Sequence, residues 1–234
     1  MLKDELLESY KFRIELHAHT NPVSSCSEIP AEDFAGIFIE DGYDGVVVTN
    51  HFTPALLSYE TAQRCAEYYL RDFEAVRSLA GDKLSVCLGM EIRFTENNND
   101  YLVYGIDASD VERAFYFLDK GIDVFHRDFA DDRIIILQAH PFRNGMVLAS
   151  PESVDGIEVF NFHPGHNSRI GDAAVYAARH KGMIACGGVD FHHQWQRGVF
   201  ALRSKFLPKD SYDVSKLLKS GDYIFTVGDS IILP

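Results

Sequence analysis

The sequence predicts an α/β protein whose strands are largely parallel and covered by helices on both faces. Three observations predict it. Short apolar runs alternate with amphipathic stretches along the chain, the apolar runs are nearly continuous rather than alternating, and polar residues gather where those runs end. Seven or so such units point to a closed or nearly closed barrel. An open doubly wound sheet is the alternative that periodicity leaves open.

The elements follow in order. The opening segment MLKDELLESYKF is charged and lacks the apolar run of a signal peptide. Residues 12–16 form the first expected strand. Pro30, followed by Glu32 and Asp33, opens a helix over residues 31–40, because proline suits a helix start and acidic groups suit its positive end. A strand at 45–48 precedes a helix over 59–79, where Tyr59, Tyr68, Tyr69 and Phe73 recur at helical spacing as a packing face. Strands at 84–88 and 101–104 flank the polar turn 97–100. A helix over 111–128 leads to a strand at 134–137 and then one at 156–160. A helix over 170–180, closed by Lys181-Gly182, precedes a strand at 183–186. A strand at 199–202 and a helix over 214–218 follow. No repeat, low-complexity tract or Pro/Gly/Ser linker interrupts the pattern, so residues 1–234 read as one domain.

Composition narrows the function classes. Lys and Arg number 22 against 35 Asp and Glu, a formal charge of −13, which excludes a generic nucleic-acid coat and makes long nucleic acids unexpected partners. A small phosphorylated substrate stays open, because bound cations invert the local field of an acidic protein. Cys26, Cys65, Cys87 and Cys186 are widely spaced with no CxxC pair, and read as reduced thiols mostly in the core. No run approaches the roughly 18 apolar residues of a membrane span. A soluble, cytoplasmic protein of undetermined oligomeric state is the expectation.

The strand ends carry the chemistry. The first strand runs into His17-Ala18-His19, the second into Thr49-Asn50-His51, and the third into Gly89-Met90-Glu91. Further on come Gln138-Ala139-His140, then Ile157-Glu158, then Gly187-Gly188 leading to Asp190-Phe191-His192. On extended backbone, residues two apart project to the same side, so His17 with His19, and Asp190 with His192, can approach one cation together. Small Ala18 and the glycine pair keep the backbone clear of that cluster. Imidazoles with carboxylates suit Zn, Mn, Fe or Co, and a carboxylate such as Glu91 can bridge two ions. A lone strand-end histidine is usually structural. Two H/D-x-H pairs with two further histidines and two glutamates at one topological place are not explained that way. The metal-ligand set read from the sequence is therefore His17, His19, His51, Glu91, His140, Asp190 and His192.

These segments, ELHAHT, VVVTNHF, GMEIRF, QAHPFR, GIEVFN and GGVDFH in this order, resemble the PHP family, phosphoesterases named after polymerase and histidinol phosphatase. The resemblance covers most of the chain, from Glu15 to about His192. It implies a distorted (β/α)7, TIM-like barrel with two or three divalent ions (Zn, Mn or Fe) at the strand ends. The chemistry it implies is hydrolysis of small phosphate esters in the manner of a histidinol phosphatase, with a metal-bound hydroxide as nucleophile. By position, His17 and His19 would hold a first metal with Glu91 and Asp190. Glu91 would bridge to a second beside His140, and His51 and His192 would serve a third. The sequence departs from the family where Asn50 replaces an aspartate, where no histidine follows the HxH motif, and where a histidine between Glu91 and His140 is missing. Cys26, Glu28 or Asp100 are the substitutes available.

Arg143 is the first choice for a phosphate clamp, with Arg93 and Arg197 behind it. Glu158 is either a proton carrier and partner to the ligands or a structural acceptor. Asn161 is expected to fix its loop. His166, in NFHPGHN, is a candidate general acid beside His163. Trp195 is expected to cover the core rather than line the entrance, and His126 and His180 to lie exposed on helices. Two other functions compete: a nucleotide or oligonucleotide phosphoesterase, and an idle metal-binding regulatory module.

Overall fold

The computed structural model describes residues 2–234. Helix α1 (Leu2–Ser9) precedes β1 (Phe12–Ala18), α2 (Ala31–Glu40), β2 (Gly45–Val48) and β3 (His51–Phe52). Helix α3 (Ala62–Ala80) leads to β4 (Ser85–Leu88), β5 (Met90–Arg93) and β6 (Asp100–Tyr104), then α4 (Ala108–Ala114) and α5 (Ile122–Phe129). After β7 (Ile135–Gln138) and β8 (Gly156–Asn161) come α6 (Ile170–Arg179), β9 (Ile184–Gly188) and β10 (Phe200–Ser204). Helix α7 (Ser211–Ser220) and the hairpin β11 (Tyr223–Val227) and β12 (Ser230–Ile232) follow.

The α/β class holds, but the strands form two mixed six-stranded sheets, and among the described residues no closed TIM-like barrel forms. One sheet has the order β12-β11-β10-β1-β2-β4 and the other β3-β5-β6-β7-β8-β9. Strands β1, β2 and β4 are parallel, as are β7, β8 and β9, whereas β6 runs antiparallel to both β5 and β7. For the β5–β6 pair the reason is chain length. Residues 94–99 are too few for the crossover of a dozen or more residues that a parallel neighbour of β5 would need. Strand β10, where a strand was expected at 199–202, pairs antiparallel with β1, and the hairpin of β11 and β12, which the apolar pattern did not announce, extends that edge.

Two helices also differ from the sequence reading. The predicted helix 111–128 breaks at Gly121, whose φ of 82° is left-handed and where a Cβ would fall 2.2 Å from Glu96 Oε2. Helix α3 starts at Ala62 because the Thr61 hydroxyl accepts from the Arg64 amide at 3.2 Å, capping it.

The core explains the near-continuous apolar runs. Every residue of β6, β7 and β8 is buried, with strands covered on both faces. Around them pack Phe94, Phe125 and Phe129, each burial worth roughly 1.5–3 kcal/mol. Cys65, Cys87 and Cys186 are in this core, while Cys26 is exposed. No described helix is long and apolar enough to cross a membrane.

The two sheets meet where the functional residues lie. Strand β2 passes into β3 across Thr49-Asn50 and β4 into β5 across Gly89, with Glu91 N donating to Asn50 O at 3.1 Å. On the other side, His19 N donates to Phe191 O and Phe191 N to His17 O, both at 3.0 Å. Gly188 permits this approach, since a Cβ there would sit 2.4 Å from the Cβ of His17.

Candidate metal centre

All seven sequence-predicted ligands converge at this junction. His17, His19 and Glu91 are fully buried, and Asp190, His140 and His192 nearly so. The hub is Glu91. Its Oε1 lies 3.4 Å from His17 Nε2 and 3.1 Å from His140 Nε2. Its Oε2 lies 3.4 Å from His19 Nε2 and 2.7 Å from His51 Nδ1. Asp190 is the second hub, with Oδ1 at 3.4 Å from His17 Nε2 and 3.3 Å from both His19 Nε2 and His192 Nδ1. Its Oδ2 stands 3.0 Å from His166 Nδ1.

Apart from the hydrogen bond between His140 Nε2 and Glu91 Oε1, these contacts are close but unaligned. His17 Nε2, His19 Nε2, His51 Nδ1 and Glu91 Oε2 are all buried without a hydrogen-bond partner. An unsatisfied buried polar atom costs roughly 1–3 kcal/mol, so four in one place is not a packing solution. Four triads, His17/His19/Glu91, His19/His51/His192, His140/His166/Asp190 and Glu91/Asp100/His140, each bring donor atoms within 4.8 Å of one another. Imidazole nitrogens with carboxylate oxygens at this spacing fit divalent cations.

Backbone strain sits in the same place. His140 at φ 29° and Asp190 at φ 57° occupy the left-handed region, and Arg169 is the other described non-glycine residue with positive φ. Such conformations cost energy and persist where the surroundings impose them. Here His140 reaches Glu91 and Asp190 reaches His17 and His19.

Electrostatics shows how tightly the groups are coupled. Burial alone would lower the His17 pKa, but Asp190, Glu158 and Glu91 outweigh it and hold the ring well above its ordinary value. For His19, burial dominates and His192 and His51 add to it, keeping it well below. Burial would raise the Glu91 carboxyl, but His51 and His17 pull it well down, and His17 and His166 do the same for Asp190.

A ring of polar residues orients the ligands. Glu158, which sequence left between two roles, faces the ligands: Oε1 is 2.8 Å from His17 Nδ1, and Oε2 accepts from His140 N and Asn161 Nδ2 at 2.9 Å each. That contact puts the Nδ1 proton against a carboxylate and leaves Nε2 directed at the cluster. Asn161 also donates to Asp190 Oδ2 at 3.1 Å and accepts from His163 N, so it fixes its loop and a ligand together. Asn50 works one step further out, accepting from Thr20 N at 2.7 Å and from Ser24 Oγ at 2.9 Å. Ser24 in turn contacts His19 Nδ1 at 3.1 Å.

Glu15 and Ser24 were missed by sequence reasoning. Glu15 Oε1 accepts from His17 N at 2.9 Å and Val189 N at 2.8 Å, joining β1 to the end of β9, and burial pushes its pKa up to about 8. The ELHAHT context could have signalled it, because a glutamate two residues before His17 shares its side of the strand.

Above the cluster opens a cavity of about 350 Å³. The Arg143 guanidinium lines it and, among the described residues, has no hydrogen bond or ion pair of its own. Arg93 also lines it but is bound through two 2.7 Å contacts to Asp100. Arg197 is turned away, paired with Asp41 and Glu40. Glu28 is exposed and engaged with His193 at 3.2 Å and Gln194 N, outside the ligand set. Trp195 does not cover the core: it is 65% exposed on a short 3-10 turn, stacked on His193. His126 and His180 are half-buried, His126 beside Asp155 at 3.6 Å and His180 bonded to Tyr176 O.

No protein-family model and no curated protein matches the sequence. Solved structures do match. A two-domain protein from Bacteroides vulgatus ATCC 8482, containing a predicted PHP-like metal-dependent phosphoesterase, superposes with a TM-score of 0.64 at 15% identity over 92% of this chain. This chain shares that fold. The lesion-specific endonuclease PfuEndoQ from Pyrococcus furiosus gives a TM-score of 0.62 at 12% identity over 89% of this chain. PsfC from Pseudomonas syringae PB-5123 gives 0.56 at 16% identity over 82% of each chain. The chain spans 64% of the Bacteroides protein and 56% of PfuEndoQ.

Proposed function

We propose that the chain is a metal-dependent phosphoesterase acting on small phosphate esters, one PHP-type unit whose two sheets make a distorted barrel. The barrel reading rests on the Ala18–Phe191 bridge and on β2 and β4 passing directly into β3 and β5. The observation that carries the function is the cluster of buried, unpartnered His and Glu atoms beneath a cavity lined by the unpaired cation of Arg143.

Divalent cations bound there would acidify water and neutralise charge on an ester. The chain's own residues do the rest. His17, His19, Glu91 and Asp190 would hold a first ion, Glu91 and His140 would serve a second, and His51 and His192 a third. His166, 3.0 Å from Asp190 Oδ2, joins His140 in the ligand set and is less suited to free acid catalysis than its loop position implied. Glu158 is a positioning residue that holds His17 and His140. Arg143 binds the non-bridging oxygens, since guanidinium matches them with two parallel hydrogen bonds. Nothing among the described residues selects histidinol phosphate, so the proposed substrate class is small phosphate esters in general.

The test is turnover of a panel of sugar, amino-alcohol, aryl and nucleotide phosphates after loading with Mn, Zn or Fe. Activity that needs the metal and disappears in Asp190→Ala is expected. Undiminished turnover in Asp190→Ala would remove the assignment. Stoichiometric metal with no hydrolysis of any ester would favour the idle binding module.

A further inference from the structure

We propose that Cys26 is a thiolate ligand of the His51/His192 side of the metal centre, making that position selective for a thiophilic ion such as Zn, Fe(II) or Co. The proposal rests on the metal-centre reading above and goes beyond it by assigning a sulfur donor. None of the four His, Glu and Asp triads includes this cysteine.

The geometry comes from two independent directions. Cys26 Sγ lies 3.2 Å from His192 Nε2, on the turn after β1, and it lines the same cavity as His51 and His192. Separately, His19 Nε2 and His51 Nδ1 are buried without partners, and these rings form a triad with His192 whose donor atoms gather within 4.8 Å. The backbone holds the turn against the β9 end. Ser27 Oγ donates to His19 O at 3.0 Å, and Glu28 N donates to His192 O at 3.0 Å. The two residues that follow this cysteine are thus tied to the backbone carbonyls of two ligands, which holds its thiol beside the site.

The chemistry differs from that of the other positions. Histidine and carboxylate donors accept Mn and Mg as well as Zn, whereas a thiolate favours softer ions. Binding replaces the S–H bond with a sulfur–metal bond and releases the proton to solvent. The remaining three cysteines are buried in the core, so Cys26 is the thiol open to reagents.

The experiment titrates Co(II) into the metal-stripped full chain and reads near-ultraviolet absorption, where thiolate ligation gives a charge-transfer band. In parallel, iodoacetamide labelling of Cys26 is followed by mass spectrometry with and without Zn. We expect the band in the native protein and its absence in Cys26→Ser, with cobalt still bound by the other ligands. Zn should protect Cys26 from alkylation by at least about tenfold, because the thiolate is the reactive form. In Cys26→Ser the affinity of this position for Zn should fall by at least about 10–100-fold, the loss seen when even a supporting residue is removed. Cobalt bound without the band, together with labelling unaffected by Zn, would overturn the proposal while leaving the metal centre intact. Failure to bind any cobalt or zinc would overturn both. The labelling arm uses the native chain and does not depend on the variant folding.

Discussion

Two buried polar clusters share the loop after β1 and are built in opposite ways. In the first, Asp72 on α3 accepts from Thr20 Oγ1 and Val23 N at 3.1 Å, and Asn50 satisfies both of its polar atoms on Thr20 and Ser24. In the second, a few residues away, His17, His19, His51 and Glu91 hold atoms at 2.7–3.4 Å without a single aligned hydrogen bond among those left unpartnered. A buried polar network stabilises when complete and costs free energy when it is not. The first cluster is complete within the protein. On the proposed function, cations would complete the second.

The sharpest way to break this comparison is to remove the hub. Glu91→Ala should cost several kcal/mol of transition-state stabilisation, about a thousandfold in kcat/KM, and should lower metal content in parallel. Retained metal with full turnover would place the reacting ions elsewhere. Arg143→Ala should lower kcat/KM by about 10–100-fold, as for a lost hydrogen bond to a charged group, with metal content unchanged. Loss of metal in that variant would mean that Arg143 supports the ligands rather than the ester.

Asp72→Ala tests the other cluster. It strands buried donors on Thr20 and Val23 and should destabilise the fold by about 1–3 kcal/mol in denaturant melts. Turnover per folded molecule should hold. A thousandfold activity loss at normal stability would erase the distinction between scaffold and site. The smallest effect lies outside both clusters, at His126. The Asp155 carboxylate, 3.6 Å away, raises its pKa above the ordinary value. A raised folded-state pKa gives stability that is fully present below the unfolded value near pH 6.5 and is lost as pH rises through the folded value. The pair is partly exposed, so His126→Ala should cost about 0.5 kcal/mol or less in acid and nothing in mild alkali. A larger cost at high pH would show that packing rather than charge is involved.

How much of this was legible in the sequence depends on the range of the interaction. HAH and DFH state their geometry locally, since alternation fixes which side of the strand each side chain takes, and the structure brings these side chains together. Asp100 was only a weak candidate because its approach to His140, at 3.7 Å, depends on β6 pairing antiparallel to β5 and β7. The β5–β6 part of that pairing follows from a short connection rather than from apolar periodicity, and the same blindness produced the expectation of a largely parallel sheet. Glu158 could not be assigned from its strand alone, because its partners are 141 and 18 residues away. Trp195 was misplaced for the opposite reason: a large aromatic is usually buried, and here it caps a surface turn.

The most direct measurement is elemental analysis of the full chain after loading with zinc or manganese and exhaustive dialysis, set beside Glu91→Ala treated identically. The account predicts that the native chain retains one or more equivalents and that the variant loses most of them. A native chain that keeps no metal at stoichiometric level, or a variant that keeps as much, would contradict it.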